Sequence, residues 1–114
     1  MPLLQIDTNQ ILDDAAQQKL LAEASHSVAD MLGKPERYVM VAFEHKPAMR
    51  FAGSGEALAY LELKSIGLPE SKTVELSQAL TELMQQHLGV AADRVYIEFA
   101  DAPRHMWGWN GGTF

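Results

Sequence analysis

The chain has 114 residues, of which 47% are hydrophobic and 21% charged, with no cysteine and a formal net charge of -6. These values fit one globular domain over residues 1–114 and exclude a disordered chain, a disulfide scaffold and cysteine chemistry. The negative charge, without a cluster of cations, argues against nucleic-acid binding, and no apolar stretch approaches the about 20 residues of a membrane helix. We expect a cytoplasmic protein, or one exported without a signal peptide.

The first half of the chain is predicted to fold as strand, helix, strand. Residues 3–6 form a short strand, which the turn-forming residues 7–9 end. Apolar residues recur at spacings of three and four over residues 13–32, which predicts an amphipathic helix that Gly33 terminates. Residues 38–43 are a continuous apolar run of strand length.

The second half repeats this order. Residues 57–63 predict a third strand, and residues 67–70 form a turn into a second amphipathic helix that ends at Gly89. A fourth strand is predicted over residues 95–99, and a short fifth strand over residues 106–109.

The two halves also resemble each other in sequence, since residues 33–41 and 89–97 both lead from a glycine through an acidic-Arg pair into an apolar strand. Right-handed crossovers make the strands of each half parallel. The expected fold is α/β, with two β-α-β repeats forming a four-stranded mixed sheet and two helices on one face. Because the second and third strands look apolar on both sides, we expect another subunit to cover the free face.

Pro2 is the first candidate for chemistry. If Met1 is removed, the chain begins with a secondary amine at the start of a buried strand. Burial lowers the pKa of such an amine, which can leave it neutral and basic near pH 7. The alternative is that Pro2 has no function, since proline is common beside an initiator methionine.

Five segments carry a resemblance to a known family: residues 1–4, 33–35, 63–67, 93–97 and 108–114. Together, and in order along the whole chain, they resemble the family of macrophage migration inhibitory factor and D-dopachrome tautomerase. The resemblance implies a homotrimer whose sheets surround a central channel, with the helices outside. It also implies a keto-enol tautomerase that uses no cofactor and acts on phenylpyruvate-like aryl 2-keto acids.

The same resemblance assigns the site, with Pro2 as acid and base. Lys34 and the backbone N–H of Ile66, which follows Ser65, are expected to hold the substrate's carboxylate or carbonyl oxygen. Tyr96 is expected to enter the pocket from the neighbouring subunit. The aromatic mouth of the pocket is assigned to Tyr38, Trp109 and Phe114.

Each of these residues also has a structural interpretation. Lys34 after a glycine is typical of a helix-terminal cation favoured by the helix dipole. Ser65 and Ile66 fit a plain turn after a strand. The aromatic side chains, Tyr96 included, fit ordinary packing positions in a core or an interface.

Two positions depart from the family pattern. Glu98 replaces an active-site asparagine of the family's vertebrate cytokine, so its carboxylate either opposes Lys34 or points to bulk water. Trp107 replaces a smaller aliphatic residue and is expected to narrow the entrance. The cysteine pair credited with thiol oxidoreductase activity is missing, which excludes that activity here.

Other chemistries find less support in the sequence. The four histidines lack metal-ligand spacing, so no metal is assigned, and nothing brings the scattered glutamates together as a hydrolase pair. Two rival functions stay open. One is a cytokine-like protein-binding module with a vestigial pocket, and the other is dehalogenation or decarboxylation of a small unsaturated acid, with Glu98 activating water.

Overall fold

The computed structural model describes residues 1–114. Its strands and long helices follow one another as β1 Leu3–Thr8, α1 Asp14–Leu32, β2 Met40–His45, β3 Ala59–Ile66, α2 Thr73–Leu88, β4 Val95–Ala102, β5 Gly108–Trp109 and β6 Gly112–Thr113. The first four strands form one sheet in the order β2-β1-β3-β4, and β5 and β6 form a separate hairpin. β1 is parallel to β2 and β3 to β4, while the central pair β1 and β3 is antiparallel. The mixed sheet built from two β-α-β halves is therefore confirmed.

Both helices pack on one face of the sheet, where alternate residues of β1 and β3 meet the apolar stripes of α1 and α2. The fully buried side chains of this core include Leu4, Ile6, Leu20, Leu61, Leu63, Leu76, Leu80 and Met84. A polar contact joins the two helices, since His87 Nε2 lies 2.6 Å from Glu23 Oε2. Neither helix is long and apolar enough to cross a membrane.

The helix ends follow from local chemistry. The carboxylate of Asp13 accepts a hydrogen bond of 2.8 Å from the Ala16 N–H, which caps α1. Both helices end at a glycine in the left-handed region, Gly33 with φ 62° and Gly89 with φ 66°. These two predicted helix ends are confirmed.

The first strand is longer than predicted, because Asp7 and Thr8 continue β1 rather than ending it. Thr8 is fully buried, and its hydroxyl donates a 2.7 Å hydrogen bond to the carbonyl of Leu58. The carboxylate of Asp7 accepts a 3.1 Å hydrogen bond from Lys46 Nζ. Asp7 and Thr8 are tolerated in this strand because their side chains form hydrogen bonds with residues that are distant in sequence.

The free face of the sheet is mixed, since β3 is polar there, contrary to the expectation that it is apolar on both sides, whereas the first residues of β2 are apolar on both faces. On β3, Leu61 and Leu63 point into the core, whereas Tyr60, Glu62 and Lys64 alternate with them on the open face. β2 is half-buried or exposed along its whole length. The apolar argument for a covering subunit was therefore wrong for β3, while β2 leaves Met40 and Ala42 on the open face.

Candidate active site

A cavity of about 420 Å³ lies at the start of β1, between the beginning of β2 and the C-terminal hairpin. Pro2 lies in its wall and is fully buried. The carbonyl of Pro2 accepts a 2.9 Å hydrogen bond from the N–H of Met40, the first residue of β2, which holds Pro2 beside that strand. Eight of the eleven residues around the cavity are hydrophobic, so the site suits an apolar group.

Three aromatic side chains form one wall of this cavity. The rings of Tyr38 and Trp109 meet edge to face at 5.5 Å, and those of Tyr38 and Phe114 at 5.9 Å. Trp109 and Phe114 stack at 5.3 Å, and the Phe114 N–H donates to the carbonyl of Trp107, which also lines the cavity. The structure thus brings the predicted aromatic residues and Trp107 together with Pro2.

The N-terminal amine lies in an environment that disfavours its charged form. Burial lowers the pKa of the Met1 ammonium below its ordinary value of 8.0, and the nearby charge of Lys34 lowers it further. Lys34 itself does not line the cavity. It follows the end of α1, where its backbone N–H donates to the carbonyl of Ala29 at 3.0 Å.

Ser65 and Ile66 lie at the same end of the sheet as Pro2, because Leu3 is paired with Lys64 across β1 and β3. Both are buried, and neither lines the cavity. The turn after Ile66 is held by Asp101, whose Oδ1 accepts hydrogen bonds from the N–H groups of Gly67 at 2.8 Å and Leu68 at 3.1 Å.

Tyr96 lies away from Pro2 in the same chain. It is level with Asp7 in the sheet, four residues along β1 from Leu3, or about 13 Å at the usual rise of a strand. Its side chain is 65% exposed and packs against Phe51 with ring centroids 4.5 Å apart. The two rings line a second cavity of about 390 Å³.

Glu98 is likewise outside the Pro2 cavity. Its carboxylate lies 3.1 Å from the hydroxyl of Tyr60, which is also 3.0 Å from Glu62 on the open face of the sheet. Burial raises the pKa of Tyr60 to about 12, and its hydrogen bonds to the two carboxylates reinforce the effect. Within one chain Glu98 forms no salt bridge with Lys34, and its carboxylate accepts the hydrogen bond of the Tyr60 hydroxyl instead.

Several cavity residues were missed by the sequence analysis, among them Met40 and Arg37. The guanidinium of Arg37 lies 4.8 Å from the centroid of the Tyr38 ring. The sequence did contain a signal for Arg37, because this cation directly precedes Tyr38, which the family resemblance assigns to the mouth of the pocket. Met40 gave no chemical signal in the sequence, because it is one residue of an apolar run. In the structure it is exposed and is paired with Leu3, next to Pro2.

Residues 1–114 match the family model described as macrophage migration inhibitory factor (MIF). The chain belongs to this family. It is similar to a MIF homolog of Brugia malayi, with 38% identity over 100% of this chain and 99% of that protein. Among solved structures it is similar to the MIF homologue of Prochlorococcus marinus, with 43% identity, a TM-score of 0.93 and 98% coverage of each chain. It is also similar to MIF of Toxoplasma gondii, with 34% identity, a TM-score of 0.94 and coverage of 98% and 99%.

Membership of the MIF family confirms the resemblance found in the sequence and places the chain in the tautomerase superfamily. The mixed sheet with two helices matches the MIF structures. Within this fold, one chain supplies an aromatic cavity around Pro2 at one end of the sheet and an aromatic surface around Tyr96 displaced along it.

Proposed function

We propose that this protein is a keto-enol tautomerase of phenylpyruvate-like aryl 2-keto acids, with the amine of Pro2 as acid and base once Met1 is removed. The observation that carries the proposal is the burial of Pro2 in an aromatic cavity where the N-terminal ammonium has a lowered pKa. The apolar wall of the cavity fits an aryl ring. Proton transfer by an amine requires no cofactor.

Proton transfer is a two-step process at the Pro2 nitrogen. The neutral amine removes a proton from the carbon next to the ketone, so the C–H bond breaks and an enolate forms. The prolinium then donates this proton to the enolate oxygen, which restores the neutral amine. We expect the lowering of the pKa found for the Met1 ammonium to extend to the Pro2 amine, which favours the neutral base, and the charge of Lys34 also stabilises the developing enolate.

The complete site is proposed to form in a homotrimer. Tyr96 lies too far from Pro2 of its own chain to enter the cavity, because it is about 13 Å along the sheet from Leu3, the residue that follows Pro2. Its exposed ring and the Phe51 ring beside it suit a surface that closes the cavity of a neighbouring subunit. The open face of the sheet then lines the central channel.

The first experiment follows the enol-to-keto conversion of phenylpyruvate by absorbance. It uses protein whose first residue is shown by intact mass to be Pro2, with Pro2→Gly as the matched variant. We expect the variant to lose about 100-fold or more in kcat/KM, the usual size of a general acid-base contribution. Turnover that is equal in both proteins would reject Pro2 as the base.

Glu98→Gln separates this proposal from a water-activating reaction. If Glu98 is an exposed partner of Tyr60, its replacement changes tautomerase kcat/KM by no more than about threefold, because solvent screens its charge. Loss of all activity in Glu98→Gln would favour hydrolytic dehalogenation or decarboxylation. Absence of turnover with intact partner binding in Pro2→Gly would favour the protein-binding module. A cytoplasmic location stays a prediction from the composition.

A further inference from the structure

The carbonyl of Met31, in the last turn of α1, has no backbone partner. Its helical partner would be the N–H of the residue four positions later, which is Pro35 and has none. The N–H of Lys34 is engaged elsewhere, because it donates to the carbonyl of Ala29 at 3.0 Å. Lys72 Nζ donates a 2.7 Å hydrogen bond to the Met31 carbonyl instead, from a position 41 residues away in the chain.

The charge of Lys72 suits the end of α1 better than the start of α2. The last turn of α1 has no basic residue of its own, so nothing within the helix balances the partial negative charge of its C-terminus. Lys72 lies directly before α2, where the dipole of that helix disfavours a cation. The contact with Met31 therefore accounts for a half-buried lysine at a position that α2 alone would not favour.

This contact joins the two segments that are expected to hold the oxygens of the substrate. Lys34 lies three residues after Met31, and Ile66 ends β3 six residues before Lys72. The turn after Ile66 is itself held, because Asp101 accepts hydrogen bonds from the N–H groups of the two following residues. The hydrogen bond from Lys72 thus fixes the turn that carries Lys34 relative to the end of β3.

The place of Lys34 also matters for the N-terminal amine. Burial, and then the charge of Lys34, lower the pKa of the N-terminal ammonium. The Lys34 side chain forms no salt bridge within the chain, so the position of its backbone decides how far its charge lies from that amine. A displacement of the turn would weaken the effect, because the energy between two charges falls with distance.

We propose that Lys72 is a positioning residue for Lys34. This inference rests on the proposed function, in which Lys34 binds the carboxylate of an aryl 2-keto acid and stabilises the enolate. Lys72 does not line the Pro2 cavity. It acts through the end of α1, which it holds so that the Lys34 ammonium stays within range of both the substrate and the N-terminal amine.

Titration of the N-terminal amine tests this role without turnover. The chemical shift of the Pro2 nitrogen is followed against pH in protein that carries isotope-labelled proline and begins at Pro2, as shown by intact mass. The proteins are the wild type, Lys72→Met, Lys72→Arg, Lys34→Gln and the double variant Lys72→Met with Lys34→Gln. Lys19→Met, at an exposed position of α1, is the matched control. Circular dichroism checks that each variant is folded.

We expect Lys72→Met to raise the pKa of the Pro2 amine toward the value in Lys34→Gln, and the double variant to match Lys34→Gln. Lys72→Arg should keep most of the wild-type pKa, because it retains the charge and a donor for the carbonyl at the end of α1. Lys19→Met should leave the pKa unchanged. An unaltered pKa in folded Lys72→Met would overturn the role. An equal further rise in the Lys34→Gln background would also overturn it, since Lys72 would then act on the amine directly.

Kinetics with phenylpyruvate separate this inference from the proposed function. Lys72→Met should raise KM by about 3- to 10-fold and change kcat less, the size expected when one hydrogen bond is lost from the support of a binding group. If the wild type has no turnover but the amine pKa responds as described, the tautomerase proposal fails and the positioning role stands. Wild-type turnover with an unaltered KM and amine pKa in Lys72→Met would have the opposite meaning.

Discussion

Pro2 derives its chemical character from its surroundings. Its ring is fully buried, and the N-terminal ammonium beside it has a pKa lowered first by burial and then by Lys34. We expect both influences to act on the Pro2 amine when Met1 is removed. The sequence could predict the burial, because Pro2 precedes an apolar strand, but it could not show that Lys34 lies outside the cavity while its charge acts on the N-terminal amine.

Tyr60 provides a second test at the residue scale. Its pKa is about 12 in the folded chain against an ordinary 10, so the contribution of this group to stability is complete below pH about 10. That contribution is lost as the pH rises from about 10 to about 12, because the unfolded chain releases the proton first. Titration of tyrosinate absorbance should give the same rise near pH 10 in the wild type and in Tyr60→Phe. A smaller rise at pH 10 in the variant would contradict the assignment.

Much of the secondary structure was predictable from local signals. Periodic apolar residues and the terminal glycines Gly33 and Gly89 located both helices to within a few residues. The end of β1 was not predictable, because Thr8 is satisfied by Leu58, which is distant in sequence. The outer face of β3 was misjudged because Tyr60, which is compatible with either environment, masked the strand's alternation.

Arg94, directly before β4, holds the loop between β2 and β3. Its guanidinium donates hydrogen bonds to the carbonyls of Phe51 at 2.9 Å, Ser54 and Glu56 at 3.1 Å, and Ala57 at 3.1 Å. It also lies 5.3 Å from the centroid of the Phe51 ring, which packs on Tyr96 two residues after Arg94. Arg94 is therefore a positioning residue for the aromatic surface around Phe51.

Arg94→Gln should lower the free energy of unfolding by about 2 kcal/mol, since several charge-assisted hydrogen bonds are lost together. Arg94→Lys should lose nearly as much, because one ammonium cannot reach carbonyls arranged around a planar fork. Urea denaturation followed by circular dichroism measures both. An unfolding midpoint equal to that of the wild type would mean that the loop is held without Arg94.

At the scale of the whole molecule, the proposed active site joins surfaces that one chain keeps apart. The cavity around Pro2 and the rings of Phe51 and Tyr96 lie at different levels of the same sheet. No pattern within a single chain places Tyr96 in the pocket, and only the family resemblance suggested it. Assembly is consequently the step that the sequence predicts least by itself.

Hybrid oligomers test this assembly. Pro2→Gly and Tyr96→Ala chains are denatured, mixed in equal amounts and refolded together. If each site takes Pro2 from one subunit and Tyr96 from the next, about one quarter of the sites in a random mixture are intact. Activity should then exceed the mean of the two parent proteins. A mixture that equals this mean would show that each site lies within one chain.

The most direct measurement compares two forms of one protein, one beginning at Met1 and the other at Pro2, as identified by intact mass. In the first form the Pro2 nitrogen is an amide and cannot accept a proton, and Met1 also lines the cavity. We predict phenylpyruvate turnover only in the second form, with a rate that falls at acidic pH as the amine becomes protonated. Equal turnover in the two forms would contradict the central role of the Pro2 amine.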